Sequence, residues 1–240
     1  MSNPKNISIK GLKKQILKER KFLDDLLLNN NLKEIDRNWK KYIVSIFFID
    51  ILKITEDLVV LLESGSGYVD SVATRLLVER YIYFKYILKG KNQGRFNNWI
   101  LKNYRKEKSM IGKILGNINN HKIEEEKKFI NKTELSKHIK FLNEEISKVS
   151  KQTTKSEEFD FSDMITELDV NRKDKLNHYL YYVVYPLLSS DVHGSARSME
   201  SHFKKEEQNV ILNEKKDKPE LLTTALYINK EIFKVVKKTF

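Results

Sequence analysis

Tyr68-Val69-Asp70-Ser71-Val72-Ala73-Thr74-Arg75-Leu76-Leu77-Val78-Glu79-Arg80-Tyr81-Ile82-Tyr83-Phe84-Lys85-Tyr86-Ile87-Leu88-Lys89-Gly90 decides the fold. Val69, Val72, Ala73, Leu76, Leu77, Tyr83 and Ile87 recur every three or four residues, which puts them on one side of a helix. A half-buried strand would instead alternate strictly. Ser64-Gly65-Ser66-Gly67 punctuates the chain before this helix and Gly90 closes it.

The same spacing extends both ways. A first helix, lying within residues 1–31 and spanning about 7 to 29, carries Ile9, Leu12, Ile16, Leu23, Leu26 and Leu27 on its apolar side. A second runs from about Leu32 to Glu63. Residues 92 to 115 suggest one or two shorter helices around Phe96, Trp99, Tyr104 and Ile111. Residues 120–165 read as an exposed helical arm, with apolar spacing at Leu135, Ile139, Leu142 and Ile146, followed by a polar mobile loop from Lys151 to Asp163. A further helix starts near Asn171, and Val210-Ile211-Leu212 suggests a short strand. Pro219 opens the last helix, because the first helical turn has no use for its missing N–H.

The expected architecture is all-α: one multi-helix bundle over residues 1–240, with about six to eight helices. At most one short β-hairpin or strand falls near 203–213. Three prolines and eight glycines are too few for the many tight turns of a sandwich or barrel. With no cysteine, disulfides and thiolate metal sites are excluded. The apolar run from Tyr42 to Leu62 is broken by Asp50, Lys53, Glu56 and Asp57, so no membrane partner is expected. The N-terminal residues lack the apolar stretch of a signal peptide, and the expected location is the cytoplasm. The net charge of +12 permits RNA or a nucleotide as partner, although lysine-rich composition also follows from an AT-rich genome.

Polar chemistry concentrates in two helices. Arg75 and Glu79 are spaced i,i+4, so their side chains meet amid Val72, Leu76, Tyr83 and Tyr86. An ion pair among apolar neighbours needs further hydrogen-bonding partners. It either fixes helix register or belongs to a site. In the second helix His178, Tyr182, Tyr185 and Ser189 recur at helical spacing, and His193 continues the row. Pro186 removes a backbone donor, frees the Tyr182 carbonyl and predicts a kink. Tyrosines at this spacing suit a core; His193 suits a helix-end cap, or proton transfer and phosphate contact near neutral pH. Glu134 and His138 share one face of a lysine-rich helix and read as solvated. Phosphate-binding glycine loops, zinc-protease and nucleophile-elbow motifs are absent from the sequence. Glu79, Asp191 and His193 are the conceivable metal trio, but the reading takes neither metal nor cofactor.

Arg75-Leu76-Leu77-Val78-Glu79 is a form of R-x-x-x-E, and Tyr185 to Gly194 is a form of Y-x-x-x-S-x-x-x-H-G. In this order the two motifs resemble a family of bacterial helical proteins known as a domain of unknown function. The resemblance covers roughly residues 40 to 240 and implies that Arg75, Glu79, Ser189 and His193 converge between two helices. A wider resemblance is to the HEPN superfamily, helical bundles that often act as metal-independent ribonucleases in toxin and phage-defence systems. Its hallmark is an arginine followed a few residues later by a histidine, and Arg172 and His178 match that spacing.

These resemblances imply a HEPN-like effector that binds or cleaves RNA, a metal-independent endoribonuclease in the catalytic case. His193 is then the general acid/base, Arg75 holds the scissile phosphate and Glu79 orients Arg75. Ser189, Tyr185, Tyr182, Arg172 and His178 contribute to binding, and the expected assembly is a homodimer or a complex with a partner protein. The alternatives are a non-catalytic helical scaffold, with Arg75, Glu79 and His193 as a structural network, and a nucleotide-ligand sensor using the same cleft.

Overall fold

A computed structural model describes residues 8–29, 38–65, 69–90, 93–120, 131–153, 160–170, 176–186, 188, 203–206, 209–212 and 219–240. The chain is helical nearly throughout these residues, as expected, and divides into two compact units. One comprises Met1–Leu88 and Phe161–Phe240, the other Lys89–Asp160.

The larger unit is built around α1 (Ile9–Asn29), α2 (Trp39–Ser64), α3 (Val69–Lys89) and the C-terminal α8 (Pro219–Thr239). Asn38 starts α2 by accepting the Lys40 and Lys41 N–H groups at 3.0 and 3.3 Å, a cap that stabilises a helix by about 1 kcal/mol. Gly65 ends it at φ 72°, where a side chain would be strained, and returns its N–H to the Leu61 carbonyl. The apolar run that is too charged to cross a membrane is instead the spine of the core. Ile43, Val44, Phe47, Phe48, Ile51, Leu52, Leu58 and Val59 are all buried. Burying each such side chain contributes roughly 1.5–3 kcal/mol. Among the described residues no helix is long and apolar enough to span a bilayer.

Aromatic rings lock the packing. Phe233 of α8 meets Phe22 of α1 at 5.3 Å and Phe48 of α2 at 6.1 Å, while Phe47 meets Phe84 of α3 at 5.7 Å. A polar bridge crosses the same core: buried Asn229 donates to Thr55 Oγ1 at 2.8 Å and to the Ala225 carbonyl at 2.8 Å. Glu19 of α1 is wholly buried, and its Oε1 accepts a 2.6 Å bond from Gln15. Next along the chain, Arg20 pairs with Glu56 of α2 through both carboxylate oxygens.

Two elements differ from the sequence reading. Phe161–Asp169 forms α6, where a polar loop was expected to run on to Asp163. Met164, Ile165 and Leu168 are buried, so three apolar residues at helical spacing suffice to dock one short helix. α7 (Leu176–Tyr179) then runs into a wide π-turn over Leu180–Val184, in which the Tyr185 N–H reaches back to the Leu180 carbonyl. The backbone is helical at Tyr185 and Pro186, directly after the π-turn. Proline has no N–H for the Tyr182 carbonyl and its ring would collide with that carbonyl in an α-turn. The turn just upstream of it is the wider π-turn, with one residue more than an α-turn. The expected short strand is β2 (Asn209–Leu212), paired antiparallel with β1 (Phe203–Glu206) in the register Phe203–Leu212 to Glu206–Asn209.

The smaller unit pairs α4 (Gly94–Asn120) with α5 (Lys132–Lys151). Of the one or two helices expected over residues 92 to 115 there is one, and it is longer, running from Gly94 to Asn120. The Lys/Glu-rich helix is largely exposed; within its unit Leu142 is buried, and His138 bonds Glu107 of α4 at 2.8 Å. His138 and Glu134 are solvated, with side chains 42% and 62% exposed, and each is also paired, His138 with Glu107 and Glu134 with Lys137.

Candidate functional site

The i,i+4 spacing on α3 does bring Arg75 and Glu79 together, with Nε 3.2 Å from Oε1 and both side chains about a quarter exposed (23% and 25%). The partner that such a pair requires is Tyr185. Arg75 Nη2 donates to the tyrosine oxygen at 2.7 Å, and the phenol donates its own proton to Glu79 Oε1 at 2.7 Å. The Arg75 guanidinium carbon also lies 4.6 Å from the centroid of the Tyr185 ring, a cation–π contact. Three side chains from two helices form a closed triangle.

Electrostatics follow from the geometry. Burial, reinforced by the hydrogen bond to Glu79, pushes the Tyr185 phenol up to about 12, so at neutral pH it is a fixed donor. Burial opposes the Arg75 charge, but the Tyr185 bond and the Glu79 carboxylate outweigh it and hold the guanidinium above its ordinary range. Tyr83 is likewise raised, by burial and then by Glu79. Phe161 at the start of α6 supports the cluster, meeting Tyr83 at 5.2 Å, Tyr181 at 5.4 Å and Tyr185 at 6.1 Å.

A second polar group lies on the same helix. Asp169, the last residue of α6, is buried at 1% exposure and its carboxylate faces the start of α7. Its Oδ1 accepts from the Asn177 side chain. Its Oδ2 accepts the His178 backbone N–H at 2.8 Å and lies 2.8 Å from His178 Nδ1. A carboxylate only accepts, so Nδ1 carries a proton and Nε2 is left as the base of the neutral ring. His178 is about one-third exposed (32%), and its ring lies 5.4 Å from that of Tyr182. Tyr182 is half exposed and sits 4.9 Å from Tyr181, which in turn meets Tyr185 at 5.5 Å. A continuous series of rings therefore connects the His178 dyad to the Arg75 triangle.

Of the candidate residues, Arg75, Glu79 and Tyr185 meet, and His178 and Tyr182 meet beside them. Arg172, Ser189 and His193 lie outside the described residues. Asp169, Asn177 and Phe161 were not singled out from sequence. Asp169 carried a signal: an acidic residue closing one helical pattern shortly before another begins can cap the second.

The fold and its polar cluster define a helical-bundle protein with a two-helix site rich in tyrosine. The chain belongs to the family described as Family of unknown function (DUF5677), whose model matches residues 41–210. That span contains the whole cluster, from Arg75 to Tyr185. Neither a curated protein nor a solved structure matches the chain.

Proposed function

We propose that the chain is a HEPN-like effector that binds RNA and cleaves it without a metal. The observation that carries this reading is the Asp169–His178 dyad, which orients an accessible imidazole on a helix lined with tyrosine rings. In such a cleavage one group removes the proton from the ribose 2′-hydroxyl, whose oxygen attacks the adjacent phosphorus. A second group protonates the 5′-oxygen as it leaves, yielding a 2′,3′-cyclic phosphate. His178 has an oriented Nε2 suited to one of these transfers, and His193 is assigned the other. Arg75 is the cation for the charge that develops on phosphate, with Glu79 and Tyr185 fixing its direction. The resemblance of Arg172 and His178 to the HEPN hallmark supports the same choice. Tyr182, half exposed, adds a face on which a base can stack.

Cleavage of labelled RNA in EDTA tests the reading. His178→Ala, His193→Ala and Arg75→Ala should each lose activity by at least a hundredfold while remaining folded. Full activity in folded variants would refute it.

One observation favours a non-catalytic scaffold instead: Glu79 Oε1 accepts from both Arg75 and Tyr185, the closure expected of a structural network. On that reading Arg75→Ala lowers the melting temperature strongly, and no RNA cleavage is detected in the wild type.

A further inference from the structure

The smaller unit carries a concentration of charge that the proposed reaction does not use. α4 bears Arg95, Lys102, Arg105, Lys106, Lys108 and Lys113 against a single acidic residue, Glu107. Glu107 is already engaged by His138 of α5. Lys102, Lys106, Ser109 and Lys113 follow one another at i, i+4, i+7 and i+11, so they share a helix face, and all are exposed. Lysines on a solvated face would alone be unremarked surface.

A groove distinguishes this one. Arg105, Lys108 and Ser109, at i, i+3 and i+4 on α4, line a cavity of about 380 Å³ together with Ile146 of α5. That volume falls within the roughly 300–1,000 Å³ of ligand sites. Among the described residues neither Arg105 nor Lys108 is ion-paired, although Lys137 and Lys148 on α5 and Lys234 on α8 each hold a carboxylate. The groove therefore offers a fork-shaped cation, a point-charge cation and a hydroxyl beside an apolar wall. This set suits a phosphate diester: the guanidinium matches two oxygens, the ammonium adds charge, and Ser109 donates a further bond. Lys102, Lys106 and Lys113 extend the positive surface along the helix beyond the groove, as a chain of phosphates needs and a single small anion does not.

We propose that α4 is a backbone-binding surface for single-stranded RNA, with one phosphate seated among Arg105, Lys108 and Ser109 and its neighbours held by Lys102, Lys106 and Lys113. This surface is separate from the His178 cluster and binds without cleaving. It reads phosphate rather than base, so its binding is insensitive to sequence and strongly dependent on salt.

Fluorescence anisotropy of a short labelled single-stranded RNA, titrated with the full chain over a range of salt, tests the proposal. Arg105→Gln/Lys108→Gln should weaken binding about tenfold and reduce the slope of log affinity against log salt by about 0.7, the share of the one phosphate they hold together. Lys137→Gln/Lys148→Gln, which removes lysines already held by carboxylates, should change both far less. Should the first double variant fail to fold, Lys102→Gln/Lys106→Gln on the exposed face should give a comparable loss. Unchanged affinity and slope in a folded groove variant would overturn the proposal. So would full displacement of the RNA by equimolar inorganic phosphate, which would make the groove a small-anion pocket, or binding confined to an acidic protein. A 2′-O-methylated RNA, which lacks the attacking hydroxyl and cannot be cleaved, should bind the wild type with the same affinity and slope. Loss of cleavage with intact binding would separate the failure of one proposal from that of the other.

Discussion

Replacing Glu19 by glutamine should stabilise the protein at alkaline pH, and the size of the gain follows from how the carboxyl is buried. The side chain lies on the seam of α1 facing the core, with Oε2 buried and without a hydrogen-bond partner. Desolvation pushes Glu19 up from 4.5 to about 7; the Gln15 bond opposes this and the nearby Glu56 charge adds to it. The folded protein therefore binds this proton more tightly than the unfolded chain does. The resulting stability is fully present below about pH 4.5 and is lost as pH rises through about 7. With about 1.4 kcal/mol per pH unit of displacement, the charged form costs about 3 kcal/mol above that range. Glutamine keeps the shape and the acceptor for Gln15 but never ionises. The difference between Glu19→Gln and wild type should thus grow from near zero at about pH 4.5 to about 3 kcal/mol at about pH 8.5. For a protein of this size that corresponds to a gain of roughly 6–12 °C in melting temperature. Thermal unfolding of both proteins across this pH range measures it. Parallel pH profiles, with no gain at the alkaline end, would refute the reasoning.

Two other substitutions probe the remaining structure. Tyr185→Phe keeps the ring over Arg75 but removes the hydroxyl that joins Arg75 to Glu79; the half-buried cluster should lose about 1–2 kcal/mol in urea unfolding. Gly112→Ala, inside α4 with nothing within 4 Å of the added methyl, should gain about 0.5–1 kcal/mol in the same assay.

The helices were legible because apolar periodicity is a local property. Ile43 to Val59 on α2 and Leu77 to Ile87 on α3 could be assigned from spacing, and their burial follows. Arg75 and Glu79 were legible for the same reason, since one helix sets their separation. The third member of the triangle was reachable only through a resemblance, because the contact from Arg75 to Tyr185 joins residues far apart in sequence. The Asp169–His178 dyad joins the last residue of one short helix to the start of another, and no periodicity encodes that approach. Glu19 was visible in principle: it sits between Ile16 and Leu23 at core-facing positions, where a charged residue conflicts with its neighbours. Pro186 was read as a kink because proline removes a donor; the π-turn upstream of it has no sequence signature of its own.

That turn has a consequence for how one helix serves two surroundings. A regular α-helix returns residues seven apart to nearly the same angle, so His178 and Tyr185 would point along a common line. One additional residue in the turn shifts the phase between the segments before and after it. The first segment presents His178, Tyr179 and Tyr182 outward; the second delivers Tyr185 to α3. Leu180, Val184 and Leu188 are buried at four-residue steps on the core side of the same segment. Pro186 thus acts less as a break than as a phase marker, setting where the outward-facing chemistry of the helix ends and its anchoring begins.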